Sequence, residues 1–182
     1  MPISNCLNLF AYGTLMDRDE LACNMVVPAS EIERRLRVHV AELRGYRRIY
    51  NKPVAAHDGA VLNLTVDKES SVVGVLFMDM TAQELGMLDS SYPGHLPRKA
   101  VQVMLEGDKV PATVYLAKEV DEAAQISSAY EERVLELVRQ MGAPILANFL
   151  EQTAGPDGDP RYAEGKALAA AAPPAPESGE SA

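Results

Sequence analysis

The sequence predicts an α+β fold: a small, twisted mixed β-barrel with helices packed outside. Three observations carry this. Short runs with apolar residues at alternate positions recur along the chain, the mark of half-buried strands. Helical periodicity appears separately, between and after those runs. Strand and helix do not alternate regularly, as a doubly wound sheet requires. A small twisted sheet or barrel with external helices is what remains.

Taken in order, residues 7–12 read as the first strand, which runs into a tight turn at Gly13-Thr14. Asp17 suits the cap of a short helix over 18–26, with Leu21, Ala22 and Met25 on its apolar face. The run 32–50 is strand-like in parts. Leu36, Val38 and Val40 alternate with Arg35, Arg37 and His39, which predicts one buried face, and Gly45 breaks or bends it. Residues 51–59 carry turn chemistry. Val61, Leu62, Leu64 and Val66 form the next strand, 67–71 a polar turn, and 72–78 a nearly continuous apolar strand with Gly74 inside it.

Thr81 and Glu84 have the spacing of a capping box, and Leu85 and Leu88 share a face of the helix that follows. Pro93, Gly94 and Pro97 end that helix. Val101, Val103 and Leu105, then Val110, Ala112, Val114 and Leu116, alternate about a turn at 106–109, which reads as a hairpin. From 124 to 141 the period becomes helical, with Ile126, Tyr130, Val134, Leu137, Val138 and Met141 in one stripe. Gly142 and Pro144 end it, and a second short helix covers 145–153. Beyond Gly155 the chain turns to Gly, Pro, Ala, Glu and Ser, a composition expected to be disordered. The expected organisation is one domain over 1–153 and a tail over 154–182.

The chain has 182 residues and 47 % hydrophobic residues, enough for one core. Its formal net charge of -9 argues against nucleic acid or an anionic membrane as partner. The arginines at 34, 35, 37, 44, 47 and 48 crowd one stretch; a local basic pocket stays open, and the first reading is the solvated face of a strand pair. Two cysteines, Cys6 and Cys23, make no disulfide framework. No secretory leader and no run of about eighteen apolar residues is evident. These features point to the cytoplasm. His39, His57 and His95 are scattered, and no metal site is expected. Oligomeric state is not legible.

The most informative segment is Leu7-Asn8-Leu9-Phe10-Ala11-Tyr12-Gly13-Thr14-Leu15. An apolar strand runs straight into a Gly-Thr turn. Without a Cβ, Gly13 lets the backbone curl and aim successive N–H groups at one anion. Thr14 adds a hydroxyl. Three blocks follow in order: Val73-Gly74-Val75-Leu76-Phe77 before a helix ending in Leu88-Asp89, then Arg98-Lys99-Ala100-Val101-Gln102-Val103, then Ala112-Thr113-Val114-Tyr115-Leu116-Ala117. With a helix near Tyr130 reaching Gly142-Ala143, this set resembles the γ-glutamylcyclotransferase-like family, which includes the AIG2-like proteins. The resemblance covers roughly 7–150.

The resemblance implies a small barrel whose pocket opens at Tyr12, Gly13, Thr14 and Leu15, where the turn cradles the α-carboxylate and α-amine of a γ-glutamyl group. It implies a pocket role for Tyr115, a small γ-glutamyl or glutamate-like ligand, and no cofactor, since nucleophile and electrophile lie in one substrate. The product would be 5-oxoproline. In active members a glutamate just after the Leu-Asp pair is the general acid/base. Here Tyr92 stands at that position. A phenol with a pKa of about 10 is a poor base at pH 7. Three explanations stand open: Tyr92 leaves a pocket that binds without cyclising, a neighbour such as Asp89 or His95 serves instead, or the alignment slips. Asp89 also reads as a helix-end carboxylate, His95 as a loop histidine, and Arg98 as a partner of Asp89 or of a substrate carboxylate, the surface pair being the safer reading. A cyclotransferase, a binding protein with the same pocket, and a bare scaffold are the three functional readings.

Overall fold

The computed structural model describes residues 7–54, 57–91, 97–153 and 160–171. Strand β1 is Leu7–Ala11, β2 Arg37–Pro53, β3 Ala60–Met80, β4 Arg98–Leu105 and β5 Asp108–Tyr115. They close into a barrel in the order β1-β3-β2-β4-β5. Most neighbours are antiparallel, but β1 meets β5 in parallel at Leu9 and Thr113, so the barrel is mixed. Around it lie α1 (Arg18–Met25), α2 (Ala29–Arg35), α3 (Ala82–Ser91), α4 (Ser128–Gln140), α5 (Ala143–Thr153) and α6 (Pro160–Ala171). The expected α+β barrel with external helices is what the chain forms. Its core joins Leu9, Phe10, Leu43, Leu76 and Phe77 of the strands to Leu21, Leu85, Val134 and Phe149 of the helices.

Several local expectations are corrected. Residues 32–35 are not strand: Ile32 is the buried residue of α2, and β2 starts at Arg37. Val40 does not share a buried face with Leu36, for it is 48 % exposed while Ala41 and Leu43 turn inward. Asn51-Lys52-Pro53 extends β2 rather than opening a loop. The polar stretch at 67–71 does not divide two strands. β3 runs through it, and the pairing steps from Arg44↔Ser71 to Tyr46↔Val66. Gly45 alone opposes Asp67–Ser70 there and takes φ 83, a left-handed value that suits glycine. Turn chemistry survives inside this bulge, where Asp67 accepts from Glu69 N–H at 3.2 Å and the Ser70 hydroxyl at 2.8 Å.

α4 begins at Ser128, capped by the Ser127 hydroxyl, so Ile126 lies outside the helical stripe and is 42 % exposed. The tail is also more ordered than expected. Over Pro160–Ala171 it forms α6, packs on α5 and pairs Glu164 with Arg139 at 3.7 Å. Alanine-rich sequence has high helix propensity, and an existing helix gives it a surface to cover.

The capping box forms as expected. Glu84 N–H donates to the Thr81 hydroxyl at 3.2 Å, and Thr81 N–H donates to the Glu84 carboxylate at 2.8 Å. Arg35 of α2 also pairs with Glu84. Thr81→Ala is expected to lower the unfolding free energy by about 1 kcal/mol, read as a lower urea midpoint at constant slope. An unchanged midpoint would show that the box adds nothing in solution.

Candidate functional site

β1 delivers the chain to the Gly13 turn. Beyond Ala11 the backbone leaves the sheet, and Thr14–Met16 makes one turn of 3-10 helix. Met16 N–H bonds the Gly13 carbonyl at 2.9 Å and Asp17 N–H bonds that of Thr14 at 3.0 Å. The leading N–H groups of Gly13, Thr14 and Leu15 are therefore not used by the turn itself. Tyr12, Gly13, Thr14 and Leu15 are all buried. A Cβ on Gly13 would stand 3.1 Å from the Tyr130 hydroxyl, tighter than ordinary contact, so Gly13 lets the α4 tyrosine close over the turn.

The expected Tyr115 is at this site. Tyr12, Gly13, Leu15 and Tyr115 line one cavity with Leu62 and Tyr130. The Tyr12 hydroxyl donates to the Tyr115 carbonyl at 2.7 Å, tying β1 to β5. The Tyr115 hydroxyl donates to Asp89 Oδ1 at 2.8 Å, and Arg98 Nε approaches that same oxygen at 2.9 Å. Asp89 is thus a helix-end carboxylate that also touches the pocket tyrosine, and the expected Arg98–Asp89 pair is formed. Tyr92 and His95 lie outside the described residues. The cavity as drawn holds about 20 Å³, room for about one water.

Reading the arginine run as a solvated face fails at Arg48, which is 1 % exposed. Its Nε donates to the Tyr12 carbonyl at 2.9 Å, one Nη to the Val73 carbonyl at 2.6 Å and the other to Asn148 Oδ1 at 2.6 Å. Burial pushes its pKa down to about 9, while Tyr50, Tyr12 and Tyr130 act the other way. It is still a cation at pH 7. The bulge at Gly45 explains its position. Ala41 and Leu43 point inward before Gly45 and Arg48 points inward after it, so the alternation along β2 changes phase across this left-handed residue.

Arg48, Leu62 and Tyr130 were not recognised from the sequence as parts of this site. Tyr130 showed only as one member of a helical stripe, and Arg48 only as one arginine among six. His57 adds to the same corner, its ring centroid 5.5 Å from that of Tyr130. A larger open cleft of about 510 Å³ lies elsewhere, along Asp17, Glu33, His39, Val40 and Met141. It contains none of the expected site residues. Among the described residues no three metal-ligating side chains converge, and no helix is long and apolar enough to cross a membrane.

Residues 9–133 match a family profile described as gamma-glutamyl cyclotransferase, AIG2-like. A solved structure titled gamma-glutamyl cyclotransferase superposes with a TM-score of 0.64 at 18 % identity, covering 98 % of this chain and 94 % of its own. An uncharacterized protein from Homo sapiens matches with a TM-score of 0.56 at 18 % identity, covering 97 % of this chain and 94 % of its own. A solution structure from Arabidopsis thaliana matches with a TM-score of 0.52 at 21 % identity, covering 85 % and 87 %. At these identities the likeness is one of fold. No curated protein sequence matches the chain.

Proposed function

The chain belongs to the gamma-glutamyl cyclotransferase, AIG2-like family, and on that premise we propose that it cyclises a γ-glutamyl amine or peptide to 5-oxoproline and a free amine. The supporting observation is the Tyr12–Leu15 turn, whose leading N–H groups are not used by the turn itself, together with the cavity that Tyr12, Gly13, Leu15, Tyr115 and Tyr130 line. In this reading the turn receives the α-carboxylate of the substrate. The α-amine loses a proton and attacks the side-chain amide carbonyl. The new C–N bond closes the ring, the old one breaks, and the departing amine takes up a proton. Both reacting groups belong to one molecule, so ring closure carries little entropic cost.

The proton transfers need a group beside the amine. Tyr92 stands at the family's acid/base position. Asp89, three residues earlier, touches Tyr115 and is the alternative carboxylate. The weak base at this position favours a second reading, a protein that binds a γ-glutamyl or glutamate-like ligand without cyclising it.

The test is chromatographic detection of 5-oxoproline after incubation with a panel of small γ-glutamyl amines and peptides. Product from the wild type supports the cyclotransferase. No product at high enzyme concentration rejects it. A rise in melting temperature with millimolar glutamate then identifies a binding protein, and the lack of any rise leaves a scaffold.

A further inference from the structure

We propose that Arg48 is a positioning residue for the γ-glutamyl substrate: it fixes the Tyr12–Gly13 peptide and places a positive charge behind it, selecting ligands with a free α-carboxylate. This deepens the cyclotransferase reading and rests on its assignment of the turn. The first part of the argument is geometric. A trans peptide is planar, with C=O and N–H pointing opposite ways. Arg48 Nε holds the Tyr12 carbonyl at 2.9 Å, so the Gly13 N–H of that same peptide is turned away from the guanidinium. A rotation of this peptide, which would spoil the cradle, costs a buried charge-assisted hydrogen bond.

The second part is electrostatic. The acceptors bonded to the Arg48 guanidinium are the Tyr12 and Val73 carbonyls and the amide oxygens of Asn148 and Gln152, all neutral. Among the described residues none of the ion pairs includes Arg48. Its charge is hydrogen-bonded but not cancelled. Burying a cation without a counter-charge is unfavourable for packing alone. Beside a turn that accepts a carboxylate, the same charge acts on the ligand.

Asn148 and Gln152 offer a clean way to cancel it. Asn148 Oδ1 accepts from Arg48 and from Val73 N–H at 2.8 Å, while its Nδ2 donates to the Ser71 carbonyl at 2.9 Å. Gln152 Nε2 donates to that same carbonyl at 2.7 Å, and its Oε1 lies 3.5 Å from Arg48. Asn148→Asp therefore keeps the acceptor bonds, sets a carboxylate against Arg48, and leaves Ser71 bonded to Gln152. Gln152→Glu does the converse and leaves Ser71 bonded to Asn148.

The experiment is calorimetric titration of L-glutamate and of its α-amide, isoglutamine, into the wild type and both variants, with circular dichroism to confirm folding. The wild type is expected to prefer glutamate. Each variant is expected to lose about tenfold in glutamate affinity through the negative charge set against Arg48. Isoglutamine affinity should fall clearly less, because its α-amide carries no charge at the turn and only the more remote γ-carboxylate remains for Arg48 to act on. A purely structural role would weaken both ligands alike. Folded variants that bind glutamate as the wild type does overturn the role of Arg48 and leave the cyclotransferase reading standing. Charge-selective binding by a wild type that forms no 5-oxoproline supports Arg48 and rejects that reading. A wild type that binds neither ligand overturns the role of Arg48, and 5-oxoproline formation alone then decides the cyclotransferase reading.

Discussion

Tyr92→Glu is expected to release 5-oxoproline from a small γ-glutamyl peptide about 10²–10⁴-fold faster than the wild type, the usual worth of a positioned general acid/base. One group must take a proton from an ammonium and return one to the leaving amine. A phenol holds its proton too tightly to do the first at neutral pH, whereas a carboxylate in a half-buried pocket is raised toward the useful range. Tyr92 directly follows Ser91, the last residue of α3. That end of α3 is tied to the pocket by the Tyr115 hydroxyl on Asp89, with Arg98 on the same carboxylate oxygen. The readout is initial rate by chromatography at saturating and at low peptide, which separates turnover from binding. A variant no faster than a productive wild type would assign the proton transfers elsewhere, with Asp89→Asn as the next substitution. A variant as silent as an inactive wild type would remove acid/base loss as the explanation.

Gly74→Ala is expected to destabilise the fold by about 3 kcal/mol, the upper part of the range for overpacking. A Cβ at Gly74 would lie 2.3 Å from the Ala11 carbonyl oxygen and 2.8 Å from Phe10 Cζ. Neither can yield cheaply. Ala11 is held in the β1–β3 ladder opposite Val75, and Phe10 is 1 % exposed in the core. Relief requires β1 to move away from β3, which also displaces Tyr12 at the next residue. The urea midpoint should fall sharply, and any glutamate affinity should fall with it. Stability equal to the wild type would show that the β1–β3 contact is looser in solution. The contact also explains physically why a glycine occupies the strand Val73-Gly74-Val75-Leu76-Phe77: β1 passes too close for any side chain.

Much of this was legible locally. The Thr81–Glu84 cap, the Val101–Leu116 hairpin, the α5 helix and the strand-to-turn step at Gly13 each depend on residues close in sequence. Their signals survive in any fold that contains them. Other readings failed where a distant partner decided the outcome. Period-two alternation gives two faces but not which of them is inward, and Val40 was assigned to the wrong one. The alanine-rich tail showed no partner in its own sequence, yet over Pro160–Ala171 it lies on α5. The polar run at 67–70 has genuine turn chemistry, but a long pairing with β2 carries the strand through it.

The sequence by itself determined the barrel class, the family and the strand-to-turn step at Tyr12–Leu15, because strand period, caps and motif order are local properties of a chain. The tertiary structure alone decided what surrounds that turn. Closing β1 against β5 brings Tyr12 to Tyr115, 103 positions away, and docking α4 sets Tyr130 over Gly13. The bulge at Gly45 turns one arginine of a charged run into the buried cation beneath Tyr12. A shift of one residue in strand phase reverses inside and outside for every residue after it, and no count of charges along the sequence records that shift.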